Sequence, residues 1–149
     1  MKITAPISEI LRGKANQVWS IAPHATVFDA IALMAEKNIG ALPVVEAGRL
    51  IGILSERDYT RKVILHGKSS RETTTREIMT SPVTTVDAAT SIDACMQLIT
   101  QRRIRHLPVV ADGRLTGMIS IGDLVNWIIS AQSAALEQME NYIHGGYAG

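Results

Sequence analysis

The sequence predicts an α+β fold made of two consecutive β-α-β-β-α repeats, and three observations predict it. First, the chain matches itself: LPVVEAGRLIGILSERD from Leu42 to Asp58 returns as LPVVADGRLTGMISIGD from Leu107 to Asp123. Pro43 and Pro108 lie 65 residues apart, as do Gly48 and Gly113, Gly52 and Gly117, Ser55 and Ser120, and Asp58 and Asp123. A self-match at one fixed offset gives the architecture before any single element is assigned. Second, each copy alternates between helical apolar spacing and short runs of branched aliphatics. Third, hydrophobic residues are 46% of the 149-residue chain and aromatics 4%. The core is therefore aliphatic, and neither unit can cover its apolar face without the other.

In chain order, Pro6 to Leu11 reads as a short helix with proline in its first turn. Val18 to Ile21 reads as a short strand ending at Pro23, and Val83 to Val86 is its counterpart. From Thr26, a plausible N-cap, Val27, Ala30, Ile31, Met34 and Ala35 fall on one helical stripe. The matching helix begins at Thr90 or Ser91 and carries Ile92, Cys95, Met96 and Ile99. Asn38 and Gly40 end the first helix.

Leu42 to Val45 is a strand buried on both faces. Glu46 to Arg49 holds a glycine turn, and Leu50 to Leu54 returns as the second arm of a hairpin. Ser55 opens a helix expected to continue through Tyr59, Val63 and Leu65. HGKSSRETTT, His66 to Thr75, reads as a polar linker. The last helix opens at Ser120 and runs toward Ile143, with Gly145 to Gly149 expected to fray. The organisation is thus residues 1–70 for the first repeat with its lead-in, 71–130 for the second, and 131–149 for a helical tail.

Fifteen basic and 14 acidic residues leave a net charge of +1. That balance argues against nucleic acid or an anionic membrane as partner. Cys95 is the only cysteine, which excludes an intramolecular disulfide or a cysteine metal cluster. MKITAPISEI at the start lacks the apolar run of a signal peptide, and no stretch approaches the ~18 apolar residues of a membrane helix. The expectation is a cytoplasmic protein.

Chemistry concentrates in the repeated passage. Ser55 and Asp58 stand where a strand meets a helix N-terminus, whose free N–H groups and dipole favour anions. The two oxygens of Asp58 suit the paired hydroxyls of a ribose. A capping box would use the same two residues, and the functions can coexist at Ser55. Ser120 and Asp123 repeat the arrangement.

Basic residues break the symmetry. Arg57, Arg61 and Lys62 stand where the second copy has Gly122, Asn126 and Trp127. Arg103, Arg105 and His106 stand where the first has Asn38, Gly40 and Ala41. Arg57 and Arg61, four apart, share a helix face and could grip a phosphate; a solvated face or rim salt bridges would use them equally well. Gly40 and Ala41 leave room for a flat base, and Ile21, Val86 and Ile104 could wall it or simply belong to the core. His24, His66, His106 and His144 have no metal-ligand spacing, and Cys95 lies on an apolar stripe without an activator. No triad order, paired-carboxylate site, Walker sequence or dinucleotide fingerprint appears, so an enzyme is the least favoured class.

With these residues in view, each unit resembles a CBS domain, and the pair resembles a Bateman module, over about Ile3 to Ile129. The carriers are the I-x-x-L-P-V-V strands and the G-x-[IM]-x-S-x-x-D passages, each present twice. The Ser-Ile-Gly-Asp-Leu segment and the tail LEQMENYIHG resemble small stand-alone bacterial members. The resemblance implies a pseudo-twofold disc, commonly dimerised, with two clefts that bind AMP, ADP, ATP or NAD(H). It implies no catalytic cofactor, a homodimer, and a protein effector that reads the bound state. It places the first set of nucleotide-binding residues at Ile21, Gly40, Ala41, Pro43, Ser55, Arg57, Asp58 and Arg61. The second set is Val86, Ile104, Arg105, His106, Pro108, Ser120, Gly122 and Asp123. Two other classes remain open: a structural dimerisation module with vestigial clefts, and a nucleic-acid binder using Arg102, Arg103 and Arg105.

Overall fold

The computed structural model describes residues 3–14 and 17–145. Two hairpins form its centre. Strands β1 (Ala41–Glu46) and β2 (Arg49–Ser55) pair antiparallel, as do β3 (His106–Ala111) and β4 (Arg114–Ser120), in one sheet of order β1-β2-β4-β3. The helices in chain order are α1 (Ser8–Arg12), α2 (Val27–Lys37), α3 (Glu56–Tyr59), α4 (Thr75–Ile78), α5 (Ile92–Arg102) and α6 (Ile121–Gly145). The mixed helices and antiparallel sheet match the predicted α+β class.

Each hairpin closes on two residues of positive φ: Ala47 (52°) with Gly48 (78°), and Asp112 (53°) with Gly113 (77°). A two-residue turn with both centres left-handed is type I′, whose twist matches that of the strands. The hairpins join the sheet through one ladder pair, Arg49 with Arg114, and the Leu50 amide donates to the Gly113 carbonyl at 3.4 Å. Each of these arginines lies across the glycine of the other turn, so a Cβ on Gly48 would meet Arg114 and one on Gly113 would meet Arg49.

Thr26 caps α2 by accepting from the Asp29 amide (3.1 Å), and Asn38 ends the helix in the left-handed conformation. Val27, Ala30 and Met34 of the expected stripe are buried; Ile31 is half-buried and Ala35 is exposed. Ser91 caps α5, whose Ile92, Cys95 and Ile99 are buried. Burial pushes the Cys95 thiol up to about 11, aided by the Asp87 charge, so it is a core residue.

The expected strands at 18–21 and 83–86 shrink to single parallel bridges, Ile21 with Val44 and Val86 with Val109. Ile21 donates to the Pro43 carbonyl and accepts from the Val45 amide, both at 3.0 Å. Extending that ladder one way needs an N–H from Pro43, and the other way one from Pro23; neither proline has it. Pro108 blocks the second copy at the same step.

The helix opened by Ser55 also departs from expectation. After α3 the chain widens into a π-helical turn, Thr60–Ile64, which buries Val63 but leaves Leu65 73% exposed. His66 to Thr75 is more than a linker: Thr73 and Thr75 are buried, and the Thr73 carbonyl accepts from the Val27 amide at 2.8 Å. The last helix is unbroken through Gly145; of the expected fraying segment, 146–149 lies outside the described residues.

Two cores result, and each borrows its lid. Ile7 and Ile10 of the N-terminal segment pack with Ile92, Leu107, Ile119 and Leu124 of the second half. Ile78 packs with Val27, Leu42, Leu54 and Val63 of the first half. The backbone follows: Ile7 donates to Thr90 (2.9 Å) and Ile92 to Ala5 (2.9 Å), while Thr75 donates to Ala25 (2.8 Å). Full burial of an isoleucine such as Ile7 contributes roughly 1.5–3 kcal/mol.

Alanine has no natural place at the first centre of a type I′ turn, whereas Asp112 suits it. Ala47→Asn should therefore stabilise the protein by about 0.5–1 kcal/mol, seen as a higher urea midpoint with an unchanged slope.

Candidate functional site

The end of β2 delivers Ser55 to the start of α3, and the box there closes fully. The Ser55 hydroxyl accepts from the Asp58 amide (3.1 Å), and Asp58 Oδ2 accepts from the Ser55 amide (2.9 Å) and hydroxyl (3.0 Å). The other oxygen, Oδ1, accepts from the Thr80 hydroxyl (3.2 Å) and sits 3.0 Å from the Lys62 ammonium. Asp58 is only 8% exposed, so its charge is held by this set of donors.

Above it opens a cleft of about 600 Å³ between the halves. Its floor is Gly40, Ala41 and Ser55, and its walls carry Arg57, Asp58, Arg61, Ile104, Arg105 and His106. Nine of the residues expected from sequence thus converge on one cavity. Lys62, Thr80, Pro82, Val83, Thr84, Glu56 and Arg103 join them. Arg57 is steadied by donating to the Arg103 carbonyl at 3.1 Å.

The symmetry-related cleft, about 460 Å³, includes Gly40, Ala41, Pro43, His106 and Ser120. Ser120 and Asp123 exchange the same two bonds, Ser120 amide to Oδ2 at 2.9 Å and Asp123 amide to Oγ at 3.1 Å. Asp123 stands behind the lining, tied to Lys14 at 2.7 Å, and Lys14 also donates to the Met118 carbonyl at 2.8 Å. Burial acts to raise the Asp123 pKa, but the Lys14 and Ser120 hydrogen bonds outweigh it and hold the carboxyl below its usual range.

Four expected residues lie elsewhere. Ile21 packs against the first core, and Val86 is part of the second, because each is drawn to its strand by the bridge described above. Val86 also faces a separate open depression of about 740 Å³ with Asp87, Leu98 and Thr116. Pro108 is buried within β3, and Gly122 is exposed in the first turn of α6. Neither Ile21 nor Val86 is among the residues that line the two clefts.

Several contributors escaped the sequence reading: Lys14, Trp19, Thr80 and Thr84. The repeat offset could have found two of them together, since Trp19 is Thr84 moved back by 65 residues. Trp19 lines the second cleft, with Lys37 4.1 Å from its ring centre. Lys14 and Thr80 come from the two lead-in segments, which carried no local sign that they reach the opposite half. Among the described residues, no group of three or more His, Cys, Asp or Glu could hold a metal ion. No described helix is long and apolar enough to cross a membrane.

Gly40, Ala41 and His106 belong to both clefts. Burial pushes the His106 imidazole below its ordinary 6.5; Asp123 opposes this, Lys14 and Arg105 reinforce it, and Glu56 opposes it.

Comparison with known proteins gives the family and the fold. The model of the CBS domain matches twice, at residues 6–64 and 76–130. The CBS domain-containing protein CBSX3, mitochondrial, of Arabidopsis thaliana is 40% identical over 95% of this chain and 73% of its own length. CBS domain-containing protein YhcV of Bacillus subtilis is 33% identical over 86% of this chain and 91% of its own. A solved CBS-domain structure from Burkholderia ambifaria superposes with a TM-score of 0.82 at 46% identity, covering 86% of this chain and 96% of that one.

Because the folded His106 binds its proton more weakly than the unfolded one, the unfolded chain holds more protons just below pH 6.5. Stability from this group is present above that value and is lost as pH falls through the folded pKa. His106→Gln should flatten the stability–pH curve over this window, measured by urea unfolding at successive pH values.

Proposed function

This chain belongs to the CBS-domain family, and from that premise we propose that it is a non-enzymatic regulatory module binding adenine nucleotides between its repeats. AMP, ADP, ATP and NAD(H) are the ligand candidates, read out by a protein effector. One observation carries the reading: Ser55 and Asp58 line a cleft of about 600 Å³ that also gathers arginines from both halves. Asp58 accepts ribose hydroxyls by exchanging the Thr80 and Lys62 contacts of its Oδ1, and the α3 start with Arg57 and Arg61 supplies donors for phosphate. The cytoplasm is the proposed compartment, supported by the balanced charge and the single free thiol.

At a hundredfold excess over Kd a ligand adds about 2.7 kcal/mol, so the matching nucleotide should raise Tm by roughly 5–10 °C. No movement of the melting curve with millimolar AMP, ATP or NAD would overturn the proposal. Asp58→Ala and Asp123→Ala should weaken the shift unequally.

A structural dimerisation module with vestigial clefts is the second reading, favoured by a specific observation. Both Ser-x-x-Asp pairs are closed on themselves, and each aspartate already holds a lysine. The melting experiment separates the two.

A homodimer fits either reading. Beyond Ile128 the exposed part of α6 carries Ile129 (55%), Leu136 (61%), Met139 (61%) and Ile143 (51%). Positions 129, 136 and 143 are seven apart with 139 between, the spacing of a coiled-coil seam. A solitary helical extension with such a stripe is marginal in water. Light scattering should report twice the chain mass, and Leu136→Glu with Met139→Glu should shift it toward the monomer; an unchanged dimer would place the interface elsewhere.

A further inference from the structure

The two clefts share a fold and differ in charge. Arg57, Arg61, Arg103 and Arg105 face the first cleft, and among the described residues none of them is in a salt bridge. Its acidic residues are Glu56 and Asp58, and Asp58 is already held by Lys62. The symmetry-related positions are Gly122, Asn126, Asn38 and Gly40, all uncharged, of which Asn38 and Gly40 line the second cleft. Its lining lysine, Lys14, is spent on Asp123 and the Met118 carbonyl, and Lys37, 4.1 Å from the Trp19 ring centre, is paired with Glu36. Where the first cleft has Thr84, the second has Trp19, an aromatic ring that packs partly against the first core, with Lys37 over the ring, and still lines the cleft.

Guanidinium groups without carboxylate partners grip phosphate oxygens in bidentate fashion, and several together suit a chain of phosphates. An indole face in a nearly neutral pocket suits a flat base and adds little for extra charge. We infer that the clefts sort ligands by phosphate number: the first takes a nucleoside di- or triphosphate, and the second takes a nucleoside or its monophosphate stacked near Trp19. The inference rests on the nucleotide reading above and adds the ligand class of each cleft.

The chain contains two tryptophans, Trp19 and Trp127. The full-length Trp127→Phe variant therefore carries an indole in the second cleft alone. Calorimetry and Trp19 fluorescence would be run with adenosine, AMP, ADP, ATP and inorganic tripolyphosphate. From AMP to ATP, the calorimetric Kd of the first cleft should fall at least about tenfold. Arg61→Gln or, independently, Arg105→Gln should abolish that gain. The Trp19 signal should respond to adenosine and AMP with midpoints within about twofold and should not tighten toward ATP.

Equal affinity for AMP and ATP, an ATP gain untouched by either arginine variant, or a Trp19 midpoint that falls with each added phosphate would overturn the sorting. Tripolyphosphate binding that needs Arg61, with no binding of any adenine compound, would keep the polyphosphate cradle and sink the nucleotide reading.

Discussion

Neither half of this protein closes its own core, and that exchange is the constraint on which the rest depends. Ile7 and Ile10, at the start of the chain, fill the core built by residues 86–124, while Ile78, between the repeats, fills the core built by residues 27–63. The sheet contributes little to joining the halves, since β2 and β4 pair at one position. The exchanged segments therefore hold the halves in register, and they also bring donors to the clefts. Thr80 reaches Asp58 and Lys14 reaches Asp123 because each arrives on a segment that has crossed over.

Backbone symmetry and side-chain asymmetry serve different ends. The strands, turns, capping boxes and bridges recur at one offset, so the two clefts have the same frame. What differs is where cations stand and whether they are already engaged. Lys62 comes from the same helical passage as Asp58, four residues on, whereas Lys14 comes from a lead-in 109 residues before Asp123. Engaging the second aspartate therefore means competing with an ion pair that also pins the N-terminal segment.

Much of this was legible in the sequence for local reasons. Asp112-Gly113 between aliphatic runs specifies a type I′ turn, and its repetition carries the assignment to Ala47-Gly48. Thr26, Ser91, Ser55 and Ser120 announce helix starts because their hydroxyls serve backbone amides within three residues. Features set by long-range contacts leave no local sign. Nothing near Pro6 says that it lies beside Ser91, and nothing near Leu65 says that a π-helical turn will leave it in solvent. The short strands failed for a reason that was present but unread: the prolines that make the LPVV runs recognisable also remove the N–H groups a longer ladder would need.

The exchange also sets an order of assembly on a chain made from its N-terminus. The first core is complete once residue 78 is available, so it can close while the second repeat is still being made. Ile7 and Ile10 must wait for residues 86–124, with Ile7 bonding to a residue 83 positions later. Contacts of that separation are the slow ones in folding. Of the two exchanged segments, the earlier in the chain is thus the one placed last, and until it docks the second core has an open side and Asp123 lacks Lys14. A chain without residues 3–14 would keep a finished first half and a second half with its apolar interior still facing water.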